Sequence, residues 1–168
     1  MHFPHEPDEA ELALQELRRL VHGIRSASYS VERSCGVTGA QLFVLRELSL
    51  EPGASIRRLS ERTLTDPSSV SVIVAHLEER GLVTRTLDEA DRRKSALRLS
   101  SQGAQLLMRA PEPYQGRLIG VLRALPRSAL GPLRAALSSM SDSLDLKGDA
   151  PLFFEYTTQR KRKPRGSR

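Results

Sequence analysis

The sequence of 168 residues predicts a mainly α-helical protein with one small β-hairpin. Apolar residues recur every three or four positions along most of the chain, which is the spacing of amphipathic helices. The β-prone runs are confined to residues 82–86 and 96–99, on either side of a polar loop. A chain of this length suits one domain with a sizeable core. No apolar run approaches the length of a membrane span, and the N-terminus lacks the pattern of a signal peptide.

The first predicted element is a long helix over residues 9–34, which Gly36 ends. Its apolar residues fall on one stripe. The stripe consists of Leu17, Leu20, Val21, Ile24, Ala27 and Val31. At 1.5 Å per residue, about 25 residues give a helix of roughly 37 Å. Because this is long for a domain of this size, we expect the helix also to pack against a partner.

Two short helices follow. Thr38 and Gln41 have the spacing of a capping box, which predicts a second helix through about residue 50. A Pro-Gly pair then breaks the chain. Ser55 is placed to cap a third helix over residues 56–62.

A fourth helix begins with Asp66, which can cap it, and Pro67, which fits the first helical position. One of its faces is apolar and the other is small and polar. Val70, Ile73, Val74 and Leu77 are predicted to face inward, and Ser68, Ser71, Val72, Ala75 and His76 outward. Gly81 ends the helix. Two short helices joined by a tight turn, with a hairpin after them, predict a winged helix-turn-helix.

The C-terminal part is predicted to be helical. Ser100 or Ser101 caps a helix through about residue 110, and the segment 111–113 (Pro-Glu-Pro) interrupts the pattern by a kink or a restart. The last helix is predicted over residues 128–144. Its apolar residues, spaced as in a coiled coil, are Leu130, Leu133, Leu137, Met140 and Leu144. Such a seam can be core within one chain, but a terminal helix with a strict heptad stripe favours a dimer interface.

A helix with a small polar outer face, followed by a basic hairpin, indicates binding of double-stranded DNA. The helix would enter the major groove, and the hairpin would reach the adjacent backbone or minor groove. The candidate contacts are Ser55, Pro67, Ser68, Ser69, Ser71, Val72, Ala75, His76, Arg85, Arg92, Arg93 and Lys94. Arg92 is the strongest of these, because an arginine near a loop tip can enter a narrow minor groove. The alternatives are an ordinary surface helix and a solvated run of charges.

The net charge of +6 adds little to this argument. Residues 160–168 carry six cations and no acid, so the rest of the chain is near neutral. This basic tail either extends DNA contact by releasing counterions or is an unstructured, solubilising end. The aromatic content of 4% and the absence of tryptophan disfavour a single-strand binder, which stacks bases on aromatic side chains.

Residues 38–100 resemble the MarR family of bacterial transcriptional regulators. The resemblance rests on T-G-A-Q-L from Thr38, on Ser55, Leu59 and Ser60, on P-S-S-V-S…L-E-E-R-G-L-V from Pro67, and on D-R-R-K-S-A-L-R-L-S from Asp91, followed by Gly103. The last of these is similar to the family's wing signature, although Arg93 stands where an acid is common. The prolines at 111, 113 and 132 and the basic tail depart from the family pattern.

The resemblance implies a single domain over residues 1–148, with a winged helix-turn-helix lobe at 38–100 and a C-terminal extension at 149–168. Dimerisation helices at 9–34 and 101–146 would pair two chains into a homodimer. Its two lobes would read the half-sites of a pseudo-palindromic operator. The implied protein is a cytoplasmic repressor that is released by a small phenolic or lipophilic ligand or by cysteine oxidation.

An effector cleft is expected between the first, second and fifth helices. The residues that would line it are Ile24, Tyr29, Val31, Phe43 and Leu107, each of which can instead be simple core. Cys35 is the single cysteine, so a disulfide framework within the chain is excluded. It is a redox sensor only if it is accessible and reactive, and the alternative is a packing residue. Cys35 lies at the end of the first helix, whereas the reactive cysteine of the family's peroxide sensors lies nearer the start of that helix.

Other functions receive less support from the sequence. The four histidines lack metal-binding spacing, and we expect neither a metal nor a cofactor. No paired carboxylates, nucleophile–histidine arrangement or phosphate loop indicates an enzyme. A protein-interaction module, in which the winged helix binds protein instead of DNA, remains an alternative.

Overall fold

The computed structural model describes residues 8–87 and 95–146, which form helices and one two-stranded sheet. The elements are α1 (Glu9–Cys35), α2 (Gly39–Leu50), α3 (Ile56–Thr63), α4 (Pro67–Glu79), β1 (Val83–Leu87), β2 (Ser95–Leu99), α5 (Ser101–Arg109), α6 (Tyr114–Ala124) and α7 (Arg127–Ser143). The strands are antiparallel, with Val83 opposite Leu99. The predicted fold class, mainly α with a small β wing, is confirmed.

The helices begin at the capping residues that the sequence predicts. Thr38 Oγ1 accepts a hydrogen bond from the backbone N–H of Gln41 at 3.2 Å, and Gln41 Oε1 accepts one from the N–H of Thr38 at 3.1 Å. The side chains of Ser55, Asp66 and Ser100 cap α3, α4 and α5, each by accepting a hydrogen bond from the backbone N–H three residues later. Each of these side chains satisfies a backbone donor that the first turn of a helix leaves unpaired.

The long first helix is fixed at both ends. Asp8 and Glu11 form a capping box that the sequence reading did not pick out. Gly36 ends the helix, as predicted, with a φ of 66° that glycine adopts without steric cost. The segment 111–113 ends α5, and α6 restarts at Tyr114, so the interruption there is a restart rather than a kink.

The core forms around α2, which packs against α1, α3, α4, α5, α6 and β2. Leu42, Leu45 and Leu48 of α2 are fully buried. Leu59 of α3 and Leu97 of β2 are fully buried as well. The lobe that carries α3, α4 and the hairpin is therefore assembled on one central apolar helix.

Helix α5 lies directly on the base of the hairpin. The Ser100 N–H donates to the Leu82 carbonyl oxygen at 3.0 Å, and Ser100 Oγ donates to the Gly81 oxygen at 2.6 Å. Gly103 permits this approach, because a Cβ atom at that position would lie 2.1 Å from the Leu82 oxygen. Any other residue at 103 would force α5 and the hairpin apart.

Several apolar side chains of α1 and α7 are not buried by any of the described residues. The α1 stripe divides, since Ile24 and Val31 are buried whereas Leu17 and Leu20 are exposed. Helix α7 has no buried residue, and its predicted seam is 37–66% exposed. Contiguous exposed apolar surface of this kind marks an interaction surface.

Residues 88–94 and the predicted extension at 149–168 lie outside the described residues. In the ranges 8–87 and 95–146, no helix is long and apolar enough to cross a membrane.

We predict that Gly103→Ala lowers the free energy of unfolding by about 1–3 kcal/mol, the usual cost of overpacking, because its methyl group collides with the Leu82 carbonyl. Gly120→Ala is the matched control, since among the described residues no atom outside its own helix backbone lies within 4 Å of the added Cβ. The control is expected to raise stability by up to about 1 kcal/mol through helix propensity. Urea unfolding measures both variants, and equal stability would contradict the close approach of α5 to the hairpin.

Candidate nucleic-acid interface

Helix α4 separates an inward apolar face from an outward polar face. Val70, Ile73, Val74 and Leu77 are 0–5% exposed. The predicted outward residues Ser68, Ser71, Val72, Ala75 and His76 are all exposed. Small side chains on this face let the helix backbone approach a partner closely. Hydroxyl groups on it can donate or accept hydrogen bonds, and Val72 and Ala75 can contact a thymine methyl group.

The first turn of α4 is held by Asp66. Its carboxylate accepts hydrogen bonds from the hydroxyl of Ser68 and from the backbone N–H of Ser69, the latter at 2.8 Å. The Ser68 hydroxyl, followed by the hydrogen bonds of Ser69, holds the pKa of Asp66 well below its usual range. Asp66 is therefore ionised at neutral pH, beside the positive end of the helix dipole. Ser68 is exposed, whereas Ser69 is half-buried, and both serve in the cap.

Arg85 connects α4 to the hairpin. Its guanidinium binds the Glu78 carboxylate through two hydrogen bonds, from Nε to Oε1 at 3.0 Å and from Nη2 to Oε2 at 2.9 Å. Hydrogen bonding to Glu78 raises the pKa of Arg85. Such a two-pronged contact fixes direction as well as distance. The Arg85 guanidinium thus ties α4 to β1, while the residue as a whole stays exposed.

The remaining hairpin cations divide into two groups. Arg92, Arg93 and Lys94 lie outside the described residues. Arg98 is exposed on β2, opposite Thr84. One of its terminal nitrogens lies 3.8 Å from the position of a Cβ atom on Gly53, in the turn before α3.

An ion-pair network between α2 and α3 was missed in the sequence reading. Arg62 binds Glu47 at 2.7 Å and Glu51 at 3.1 Å, and Arg58 binds Glu51 at 2.8 Å. Two acids four residues apart on one helix and two arginines four residues apart on the next are the signal that could have found it. The network fixes α3 on α2, and Ser55 remains exposed at the N-terminus of α3.

The structure does not bring the five predicted effector residues into one cleft. Ile24 and Val31 line a cavity of about 10 Å³ between α1, α2 and α6. Phe43 lines a separate cavity of about 320 Å³ beside α6, and Leu107 is half-buried against the core. Tyr29 is 62% exposed, with the Arg33 guanidinium 5.7 Å from its ring centre. Because residues two apart on a helix point about 200° apart, Tyr29 cannot share a face with Val31.

Gln115 is a candidate effector contact that the sequence reading did not find. Its side chain lines the small cavity beside Ile24 and Val31 and is only 4% exposed. Its Oε1 atom is buried without a hydrogen-bond partner among the described residues. An unpaired buried acceptor of this kind is costly. The cavity has about the smallest volume that can hold one water molecule.

Cys35 is half-buried, with its Sγ atom 3.4 Å from Ser34 Oγ. It lies at the edge of an open cavity of about 400 Å³ beside α5. In the described ranges, no group of three or more His, Cys, Asp or Glu side chains could hold a metal ion.

Comparison with known proteins gives a consistent result. A family model described as "MarR family" matches residues 36–94. The HTH-type transcriptional repressor MdtR of Bacillus subtilis (strain 168) is 38% identical over 68 residues, which are 40% of this chain and 44% of MdtR. The chain thus spans less than half the length of that relative. The transcriptional regulator HosA of Escherichia coli O111:H- is 31% identical over 91 residues, which are 50% of this chain and 67% of HosA.

A solved structure extends the similarity to most of the fold. The PcaV transcriptional regulator from Streptomyces coelicolor, in complex with its natural ligand, superposes with a TM-score of 0.50 at 26% sequence identity. The match covers 83% of this chain and 99% of the PcaV chain. It therefore includes the flanking helices as well as the lobe.

We predict that Arg58→Gln destabilises the protein in a pH-dependent manner. The hydrogen bond from Arg58 lowers the pKa of Glu51, so the ion pair stabilises the fold above the ordinary glutamate pKa of about 4.3 and is lost as the pH falls through the lower folded value. The Tm difference between wild type and variant should be a few degrees at pH 7 and should shrink towards pH 3.

Arg57→Gln is the control, because Arg57 is far more exposed and, among the described residues, its guanidinium pairs with Glu61 alone, at 3.5 Å. It should leave Tm nearly unchanged throughout, as exposed pairs contribute little. Circular dichroism melting curves provide the measurement. A Tm difference for Arg58→Gln that does not change with pH would show that the network does not depend on the Glu51 charge.

Proposed function

The chain belongs to the MarR family of transcription regulators, and on that premise we propose that it is a homodimeric regulator that binds double-stranded DNA in a sequence-specific manner. The observation that carries this proposal is the outer face of α4. Five small or polar side chains are exposed there, and the opposite face of the helix is buried in the core. The DNA-binding lobe is assigned to residues 38–100.

Helix α4 is the element that reads bases. Its 13 residues give a length of about 20 Å, and the major groove is wide enough to admit an α-helix. Ser71, Val72, Ala75 and His76 are placed to reach base edges. Ser68 and Pro67, at the start of the helix, and Ser55, at the start of α3, lie where phosphate contacts are expected, because helix N-termini attract anions.

The hairpin is the second contact. The Glu78–Arg85 pair holds β1 at a fixed angle to α4, so that the hairpin strands stand beside the reading helix. Arg92 is assigned to the minor groove, and Arg93 and Lys94 to the backbone. Arg85 contributes chiefly by positioning the hairpin.

Pairing of two chains supplies the second half-site. The exposed apolar face of α7 and the N-terminal half of α1 offer the surface that two chains would bury against each other. The dimerisation helices are accordingly assigned to 9–34 and 101–146. A two-fold dimer presents two α4 helices with opposite orientation, and such a dimer matches a pseudo-palindromic operator.

The regulator is proposed to act in the cytoplasm as a repressor that a small phenolic or lipophilic ligand releases. MdtR is named a repressor, and PcaV was solved with its natural ligand. The cavity beside Ile24, Val31 and Gln115 is the proposed point of entry, because a ligand hydroxyl would satisfy the unpaired Gln115 oxygen. That cavity holds no more than about one water molecule, so the ligand must displace neighbouring side chains such as Tyr114.

We predict that Ala75→Glu weakens operator binding at least 100-fold. The substitution places a carboxylate in a groove lined with phosphates, while glutamate preserves helix propensity. Ala104→Glu makes the same change at an exposed position on α5 and should leave affinity within about twofold. Fluorescence anisotropy with a fragment of the chain's own upstream region measures both variants. Equal affinities for the two would exclude α4 as the reading helix.

We predict that Arg92→Ala weakens operator binding strongly and lowers the slope of log affinity against log salt by up to about 1, because a cation is removed from the negative potential of the minor groove. The melting temperature should not change, which separates lost contact from lost fold. Titrations at several salt concentrations give the slope. An unchanged slope together with unchanged affinity would remove Arg92 from the interface.

A further inference from the structure

The structure contains a further concave site, at the edge of the lobe, that the proposed function does not use. It is an open cavity of about 400 Å³ between α5 and the C-terminal ends of α1 and α4. Its volume falls within the range of about 300–1,000 Å³ that is usual for small-molecule sites. None of the DNA-contact candidates that the structure describes lines it.

Two arginines without acidic partners line this cavity. Arg80 comes from the end of α4 and Arg109 from the end of α5. Within residues 8–87 and 95–146, neither guanidinium forms a salt bridge. By contrast, the arginines of α3 (Arg57, Arg58 and Arg62) and Arg85 of β1 each bind a glutamate. The two cations of this cavity thus lack a salt bridge, whereas four of the six other described arginines of residues 38–100 form one.

Arg80 is held in place before any ligand arrives. Its Nη1 atom donates to the Gly36 carbonyl oxygen at 2.6 Å, across 44 residues of sequence. A guanidinium has five N–H donors, so donors remain for an anion. Because the side chain is already ordered, binding costs less conformational entropy than it would at a free surface arginine.

The rest of the lining is mixed. Leu82 and Leu106 provide an apolar surface, and Gln102 and Gln105 provide amides that can donate hydrogen bonds. Carbonyl ends of α1 and α4 carry partial negative charge nearby, which opposes an anion and makes the two cations necessary for its binding. We propose that this cavity binds a small organic carboxylate, with its charged group on Arg80 and Arg109 and its apolar tail against Leu82 and Leu106.

Occupation of the cavity would act on α4. The Arg80–Gly36 hydrogen bond ties the end of α4 to the end of α1. A carboxylate bound to the remaining donors of Arg80 and to Arg109 would join the end of α4 to α5, and so would change how the reading helix is held. This regulatory step rests on the proposed function, whereas binding of the carboxylate does not.

Calorimetry on the full chain tests the binding, with hexanoate as the probe. Hexanoate should bind one site per chain, and hexanamide, which has the same tail without the charge, should bind at least tenfold more weakly. Arg109→Gln should weaken hexanoate binding about ten- to a hundredfold, the usual value of a charge-assisted hydrogen bond. Arg46→Gln, an exposed arginine on α2 outside the cavity, should leave it unchanged.

Cys35 reports on the location of the bound probe. It is the single cysteine of the chain and lines the cavity. Saturating hexanoate should slow its modification by the neutral reagent N-ethylmaleimide at least threefold, and hexanamide at the same concentration should not.

Three results would overturn the proposal. They are equal binding of hexanoate and hexanamide, equal binding of sulfate (an adventitious ion only), and full hexanoate affinity in Arg109→Gln.

The regulatory step is tested separately by hexanoate titration of the DNA complex. If the chain binds hexanoate but not DNA, the proposed function fails and the site stands. If it binds DNA but not hexanoate, the site alone fails.

Discussion

The position of α4 depends on the burial of its apolar face against α2. Val70, Val74 and Leu77 are fully buried, as are Leu42 and Leu45 of α2. Each buried side chain of this size contributes about 1.5–3 kcal/mol, so rotation of α4 about its axis is strongly opposed. The same constraint forces Ser71, Ala75 and the rest of the outer face into solvent. One packing interaction thus stabilises the lobe and presents the surface that would read DNA.

Polar contacts then fix the neighbours of α4. Arg62 joins α3 to α2, Arg85 joins the hairpin to α4, and Arg80 joins the end of α4 to α1. These contacts are directional, whereas apolar burial is not, so they set angles that the core leaves free. Helix α5 completes the arrangement because Gly103 lets it lie against the Leu82 carbonyl. Through Arg80, the reading helix is coupled to the long helix that we assign to dimerisation.

Much of the fold could be predicted because its signals are local. The caps at Thr38 and Asp66 depend on residues within four positions, and the faces of α4 follow from helical periodicity. The pairing of Glu78 with Arg85 could not be predicted, since neither residue belongs to a repeated spacing and charge type alone does not choose a partner. The predicted effector residues lie apart for a related reason. Tyr29 and Val31 are close in sequence but face different directions, and Gln115 has no pattern that marks its burial.

Selection of DNA fragments by the purified full chain tests the central claim most directly. Sheared genomic DNA from the source organism is incubated with the protein, and the retained fragments are sequenced. The account predicts an enriched inverted repeat, with half-sites about one helical turn (10–10.5 base pairs) apart and two chains bound per repeat. Retained fragments without a common sequence, or a single half-site bound by one chain, would contradict it.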